Sequence, residues 1–123
     1  MKKLTTKNAP EAIGPYTQAI RTWNLLFTSW QIWLDPKTMK LVDGWIKTQT
    51  IQVCKNLWEI LQNAWLNFKN VVKSTIYIDD INNFNIINKI YWEYFSFKPA
   101  RSTIEVSKLP LWALIEIELI AEF

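Results

Sequence analysis

The stretch Leu114-Ile115-Glu116-Ile117-Glu118-Leu119-Ile120-Ala121-Glu122-Phe123 alternates between two kinds of side chain. Successive side chains of a strand point to opposite faces, so the alternation separates two sets of residues. One face is entirely apolar, with Ile115, Ile117, Leu119, Ala121 and Phe123. The other face carries the acids with two aliphatic residues: Glu116, Glu118, Glu122, Leu114 and Ile120. The pattern predicts a strand over 114–123 whose apolar face packs against the rest of the chain.

Shorter apolar runs upstream predict four further strands. The run 71–78 is rich in β-branched residues and alternates, which places Val72, Ser74, Ile76 and Ile78 on one face. A similar run covers 101–106. Near the N-terminus, 25–28 can pair with 16–20 across a turn at 21–24. The residues before 16 are interrupted by proline and glycine, which predicts an irregular arm.

Two amphipathic helices are predicted between these strands. Apolar residues recur every three or four positions over 46–64 and again over 84–94, where Asp79 or Asp80 caps the start and Pro99 prevents further extension. Cys54 adjoins the first apolar stripe, which favours a small core residue over a nucleophile. The order β-β-α-β-α-β-β predicts an α+β fold: a single domain over 1–123, with both helices on one face of a mixed sheet.

The composition excludes several classes of function. No histidine is present, which argues against zinc and haem sites and excludes nucleophile systems that need imidazole. The net charge is +3 and the lysines are scattered, a pattern that does not favour nucleic acid. The single cysteine cannot form an internal disulfide, and neither an apolar leader nor a membrane-spanning run is visible. These features predict a cytoplasmic protein that makes no membrane contact.

Glycine and tryptophan occur in unusual numbers. The chain has two glycines, where average usage predicts about nine, and eight tryptophans. Several tryptophans lie in predicted turns, as in Asp43-Gly44-Trp45. We hypothesise that most or all of them are glycine in the working protein, through a UGA codon that is reassigned to glycine but read here as tryptophan. The alternative is an unusual Trp-rich protein or an engineered variant.

Three side chains stand out as candidates for chemistry in a chain without histidine. Arg101 is one of only two arginines, and its forked guanidinium suits a carboxylate; a surface or ion-pairing arginine is the alternative. Glu116 is a candidate acid or base, or else one of a solvated row of glutamates. Tyr16 follows Gly14-Pro15 and is either a pocket residue or an ordinary packed aromatic.

Five segments of the chain match one protein family in order. They are Ala9–Ile20, Leu26–Ile32 with Leu34–Thr38 following it, Asn70–Tyr77, the octapeptide Pro99-Ala100-Arg101-Ser102-Thr103-Ile104-Glu105-Val106, and Leu109-Pro110 with Ile115–Glu118. In these segments the sequence resembles the RidA/YjgF family of reactive-intermediate deaminases. The resemblance covers nearly the whole chain, and the octapeptide is its most diagnostic part.

The resemblance implies a chorismate-mutase-like protomer that forms a homotrimer with active sites between subunits. It also implies a reaction without metal or organic cofactor: hydrolysis of 2-imino or 2-enamino acids, such as 2-iminobutanoate and 2-iminopropanoate, to 2-keto acids and ammonia. Carried over to this chain, Arg101 binds the substrate carboxylate and Glu116 positions or activates water. The remaining carried-over residues line the pocket: Tyr16, Ser29, Trp30 with its backbone amide, Asn88 and Thr103. The alternatives are a trimer that binds keto acids without catalysis and a translation-inhibiting ribonuclease.

The resemblance also bears on the tryptophans. Family members commonly have glycine at the positions of Trp23, Trp30, Trp65 and Trp112, and are more variable at Trp33, Trp45, Trp58 and Trp92. A genuine Trp23 would occupy a tight turn, and a genuine Trp30 would stand where backbone should approach substrate. We therefore expect true tryptophans there to damage the fold or to block the site. The segment 94–99 is shorter than the usual family connection, so one rim of the cleft is expected to differ.

Overall fold

A computed structural model describes all residues from 1 to 123. The chain forms two helices, α1 (Ile46–Asn63) and α2 (Phe84–Tyr94), and one sheet of six strands: β1 (Lys2–Leu4), β2 (Ala19–Thr22), β3 (Leu25–Thr28), β4 (Val71–Ile78), β5 (Ala100–Glu105) and β6 (Ile115–Glu122). The strand order is β1-β2-β3-β6-β4-β5. Strands β4 and β5 are parallel, and all other neighbours are antiparallel. The predicted α+β class and mixed sheet are confirmed.

Strand β6 lies inside the sheet, between β3 and β4. Its predicted apolar row, from Ile115 to Ala121, is buried beneath the helices, and we call this side of the sheet the covered face. The predicted stripe of α1 packs into the same core, and Cys54 lies among these residues with no exposed surface. Each fully buried aliphatic side chain contributes about 2 kcal/mol to stability. The opposite side, which carries Glu116, Glu118 and Ile120, is the open face.

Helix α2 connects the two parallel strands. A parallel connection has to cross over the sheet, and α2 makes this crossing on the covered face. Asp80 caps the short 3-10 helix Ile81–Asn83 that precedes α2. Its carboxylate accepts a hydrogen bond of 2.9 Å from the backbone N–H of Asn82. Neither helix is long and apolar enough to cross a membrane.

Three details of the sheet differ from the sequence prediction. The N-terminal arm is not wholly irregular, since β1 pairs with β2 as a short, lysine-bearing edge strand. Strand β2 runs from Ala19 to Thr22 rather than over 16–20. The turn is shorter than predicted, because Thr22 pairs with Leu25 and leaves only two residues between the strands. A register shift between Val71 and Lys73 buries Val71 and exposes Val72, which a strict alternation assigns to the core.

Candidate active site

Glu116 is the buried carboxylate of the open face. Its side chain is 8% exposed, and its Oε2 atom has no hydrogen-bond partner. Burial raises the pKa of Glu116 to about 7, and the negative charge of Glu118 adds to the rise. The interpretation of Glu116 as one of a solvated row is therefore wrong, although Glu122 further along is exposed. A carboxylate with this pKa can take up a proton near neutral pH.

The neighbours of Glu116 leave its carboxylate without a donor. Tyr77 is its cross-strand partner on β4, but the Tyr77 hydroxyl donates to Glu118 Oε1 at 3.2 Å. On the other side of β6, Gln31 and Ile117 exchange backbone hydrogen bonds of 2.9 and 3.2 Å. This pairing brings the segment that contains Ser29 and Trp30 alongside β6, on the side of Ile117 toward Glu118.

Two of the predicted pocket residues line a groove of about 620 Å³ on the open side. Tyr16 and Ser29 border it, together with Ile20 and Phe27 of the paired strands β2 and β3. The Tyr16 hydroxyl accepts a hydrogen bond of 3.1 Å from the backbone N–H of Ile13. The hydroxyl of Ser29 donates to the carbonyl of Thr17 at 2.5 Å, which leaves its oxygen as an acceptor.

The ring of Trp30 packs against that of Tyr16, with centroids 5.8 Å apart. Trp30 is half-buried, so its indole occupies space beside the groove. The predicted residues Tyr16, Ser29 and Trp30 therefore lie in one region, on the same side of the protomer as Glu116.

Arg101 lies on the covered face, on the edge strand β5. Its register partner is Ser74, which is fully buried beneath α2. The Arg101 guanidinium donates one hydrogen bond of 2.7 Å to Asn88 Oδ1 on α2. Thr103 follows two residues later on the same face, and its buried Oγ1 has no partner. The structure thus brings Arg101, Asn88 and Thr103 together.

The Arg101 group and the Glu116 group are separated within one protomer. Arg101 aligns through Ser74 with Leu119, whereas Glu116 aligns through Tyr77 with Ile104. Two strand spacings and three residues of rise put the Cα atoms of Arg101 and Glu116 about 14 Å apart in the plane of the sheet, and their side chains leave opposite faces. A small molecule held by Arg101 therefore does not reach Glu116 of the same chain.

Sequence reasoning missed the aromatic surroundings of Arg101. Its guanidinium carbon lies 4.9 Å from the ring centroid of Tyr91 and 5.5 Å from that of Phe84. The sequence interpretation assigned both rings only to the apolar stripe of the helix. The available signal was the spacing of Phe84, Asn88 and Tyr91, which puts an amide between two aromatics on one helical face.

The tryptophan positions fall into two conformational classes. Trp23, Trp65 and Trp112 have φ values of 54°, 62° and 57°, in the left-handed region that favours glycine. All three are exposed, so no packing of their own compensates this conformation. They are three of the four positions where the family resemblance implies glycine. The fourth, Trp30, does not have a positive φ, so the argument for glycine there rests on space beside the groove.

No cluster of acidic or cysteine side chains in the chain is arranged to hold a metal ion. The predicted site residues offer one buried carboxylate, one arginine, hydroxyl groups and backbone amides. Such a set can bind a carboxylate-bearing small molecule and transfer a proton to or from it.

Comparisons with known proteins identify relatives of this chain. The family model described as Endoribonuclease L-PSP matches residues 6–123. A RutC family protein of Pyrococcus horikoshii is 51% identical over 117 residues, which are 94% of this chain and 93% of that protein. The human 2-iminobutanoate/2-iminopropanoate deaminase is 44% identical over 119 residues, or 96% of this chain and 87% of the human protein.

The fold comparison gives the same result. A structure of a Rid family protein from Yersinia pestis superposes with a TM-score of 0.96 at 48% identity, and the match covers 99% of this chain and 98% of the other. The family model spans both helices and every strand of the sheet except β1. The chain therefore belongs to the Endoribonuclease L-PSP family, that of the Rid proteins, as the resemblance in its motifs indicated.

Proposed function

We propose that this protein is a cofactor-independent deaminase that hydrolyses 2-imino and 2-enamino acids of the 2-iminobutanoate and 2-iminopropanoate type. Water adds to the imine carbon, the carbon–nitrogen bond breaks, and a 2-keto acid and ammonia are released. The observation that carries the proposal is the buried carboxylate of Glu116, with an unpartnered oxygen and a pKa of about 7. The name of the human relative supports the same substrate class.

Glu116 is assigned the proton transfer. A protonated imine is already electrophilic, so the slow event is the delivery of an activated water to its carbon. A partly desolvated carboxylate that titrates near neutral pH accepts the proton of that water without becoming a permanently protonated acid. Glu116 accepts this proton and returns it to the amine nitrogen of the adduct. The carbon–nitrogen bond then breaks to release ammonia, and the remaining hydroxyl proton passes to Glu116 and on to solvent as the keto carbonyl forms.

Arg101 is assigned the substrate carboxylate. Its hydrogen bond to Asn88 leaves other N–H groups of the fork available, and two parallel donors match a carboxylate. Thr103 lies beside it with an unpartnered hydroxyl oxygen. Tyr16, Ser29 and the backbone amide of Trp30 are assigned to the opposite wall of the pocket, near Glu116.

We extend the proposal to a homotrimer with active sites between subunits, which this division of roles supports. One protomer offers the Arg101 group on its covered face and the Glu116 group on its open face, too far apart for one small substrate. A neighbouring copy placed against the open face can bring its own Arg101 edge to Glu116. The apolar side chains that remain exposed on that face, Phe27 and Ile104, support such an assembly.

The first experiment compares two glutamates of the same strand face. Glu116→Gln should lower kcat for ammonia release from a freshly generated 2-imino acid by about 100-fold or more, because amide cannot accept the proton. Glu122→Gln, at an exposed position on β6, should change kcat less than about twofold. Unchanged turnover in Glu116→Gln would remove Glu116 as the base. Keto-acid binding without turnover in the unaltered protein would favour the binding-protein alternative.

A second experiment tests whether the two groups act in different subunits. Arg101→Ala and Glu116→Gln protomers, each inactive alone, are denatured, mixed in equal amounts and refolded. If each site takes Arg101 from one subunit and Glu116 from the next, random assembly restores about a quarter of the wild-type activity. If Arg101 and Glu116 of each active site came from the same subunit, the mixture would stay inactive.

We further propose that the tryptophans at 23, 65 and 112 are glycine in the working protein, because their left-handed backbone conformation supports the reassignment hypothesis. Mass spectrometry of the tryptic peptide 22–37 from the native source examines positions 23, 30 and 33 together. Glycine at these positions would confirm the reassignment and open the groove beside Ser29. Tryptophan there would overturn it. The cytoplasmic location stays a prediction.

A further inference from the structure

One face of α2 holds the guanidinium of Arg101. Phe84, Asn88 and Tyr91 are spaced at i, i+4 and i+7, so they line the same side of the helix. Asn88 accepts a hydrogen bond from Arg101, and the rings of Phe84 and Tyr91 lie within cation–π distance of it. The guanidinium therefore lies close to two aromatic rings, and a single hydrogen bond to the Asn88 amide fixes its direction.

Tyr91 is itself held on two further sides. Its hydroxyl shares a buried hydrogen bond of 2.6 Å with the hydroxyl of Ser74, and its ring stacks on Phe95 with centroids 4.1 Å apart and planes at 8°. Ser74 is also the register partner of Arg101 on the neighbouring strand. The Tyr91 ring is thus held by β4, the strand that pairs with β5 at Arg101.

From this arrangement we infer that Tyr91 is a positioning residue for carboxylate recognition, acting through Arg101. The inference rests on the proposed function, in which Arg101 binds the substrate carboxylate. A guanidinium donates only in its own plane, so rings that restrict its rotation hold the N–H edge toward the space where substrate binds. The essential part of Tyr91 is its ring, which stacking on Phe95 holds in place together with the Ser74 hydrogen bond.

The test measures binding of 2-oxobutanoate, a product of the proposed reaction, by titration calorimetry. Tyr91→Leu removes the ring and should weaken binding about tenfold, because the fork of Arg101 is then no longer oriented toward the carboxylate. Tyr91→Phe keeps the ring and should stay within about twofold of wild type. In steady-state assays the same loss should appear in KM, with kcat changed less, because the carboxylate is held equally in substrate and transition state.

A double variant separates positioning from a general structural effect. In an Arg101→Lys background, where no planar fork remains to be oriented, Tyr91→Leu should cause no further loss of binding. A merely structural role would cause the same additional loss in both backgrounds and would overturn the inference. If Tyr91→Leu does not fold, Tyr91→Met, which also lacks the ring and fills more of its space, carries the same test.

The outcome for Arg101→Ala distinguishes the inference from the proposed function. If Arg101→Ala binds 2-oxobutanoate as wild type does, the assignment of Arg101 fails, and the proposed function fails with it. If Arg101→Ala abolishes binding while Tyr91→Leu loses less than threefold, Arg101 recognises the carboxylate without Tyr91 and only the inference fails. A loss of threefold or more in Tyr91→Leu that is absent in Tyr91→Phe supports it.

Discussion

The covered and open faces of the sheet differ in how far one protomer completes them. On the covered face the side chains of Ile115 and Ile117 have no exposed surface, because α1 and α2 pack over them. On the open face Phe27 is 40% exposed while the acid Glu116, on the same face, is buried. The apolar core is complete within one chain, whereas the candidate site has its two charged residues on different faces. Strand β6 therefore serves two purposes: Ile115 and Ile117 on its covered face complete the core, and Glu116 on its open face belongs to the candidate site.

Two isoleucines of β6 provide the largest expected contrast between the faces. Ile117→Asn puts an amide into the covered core and should cost about 3–5 kcal/mol, enough to unfold the protein or lower its melting temperature by more than 10 °C. Ile120→Asn changes a half-buried position of the open face and should cost the isolated protomer less than about 1 kcal/mol. Thermal melting followed by circular dichroism checks both values.

The same pair tests whether the open face mediates assembly. If the proposed homotrimer assembles through the open face, Ile120→Asn should shift the sedimentation coefficient toward that of a folded monomer at micromolar concentration. A sedimentation coefficient equal to that of wild type would show that assembly does not use this part of β6.

Arg101→Lys sharpens the role of the covered face. Lysine keeps the positive charge but offers no planar fork to match the two oxygens of a carboxylate. We expect KM for the imino acid to rise about 30-fold, in line with the loss of one bidentate hydrogen bond, with kcat within about threefold. Circular dichroism at the melting transition should show little change, because Arg101 is only half-buried. A fall in kcat with unchanged KM would contradict a role in ground-state carboxylate binding.

The pH dependence of the reaction reports on the open face. Since the pKa of Glu116 is about 7 and the base has to be ionised, kcat/KM should fall about tenfold per unit below pH 7 and level off above it. Stability runs the other way: the folded protein binds this proton more tightly than the unfolded chain, so stability falls as pH rises from 4.5 to 7. Glu118→Gln removes the neighbouring charge and should move the midpoint to lower pH. A midpoint unchanged by Glu118→Gln would contradict the electrostatic part of this explanation.

The sequence predicted the elements of the sheet better than the relation between the site residues. The alternation in β6 and β4 predicts which side chains are buried. Once one face of a strand is covered, every second side chain along it belongs to the core. The bulge at Val71 and the edge strand Lys2–Leu4 escaped prediction, since neither has a hydrophobic pattern of its own. That Arg101 and Glu116 leave opposite faces depends on pairing across three strands, which no local pattern contains.

The turns belong to neither face, and substitutions there should have the smallest effects. Trp65 is 95% exposed with φ of 62°, so Trp65→Gly relieves backbone strain without loss of packing and should stabilise by about 1 kcal/mol, or about 4 °C in melting temperature. Trp92 is also exposed but lies inside α2, where glycine costs about 0.5 kcal/mol relative to tryptophan, so Trp92→Gly should destabilise slightly. If Trp65→Gly raises the melting temperature and Trp92→Gly lowers it, the gain at position 65 comes from backbone conformation and not from removal of an exposed indole. The same sign at both would leave the glycine hypothesis without its conformational support.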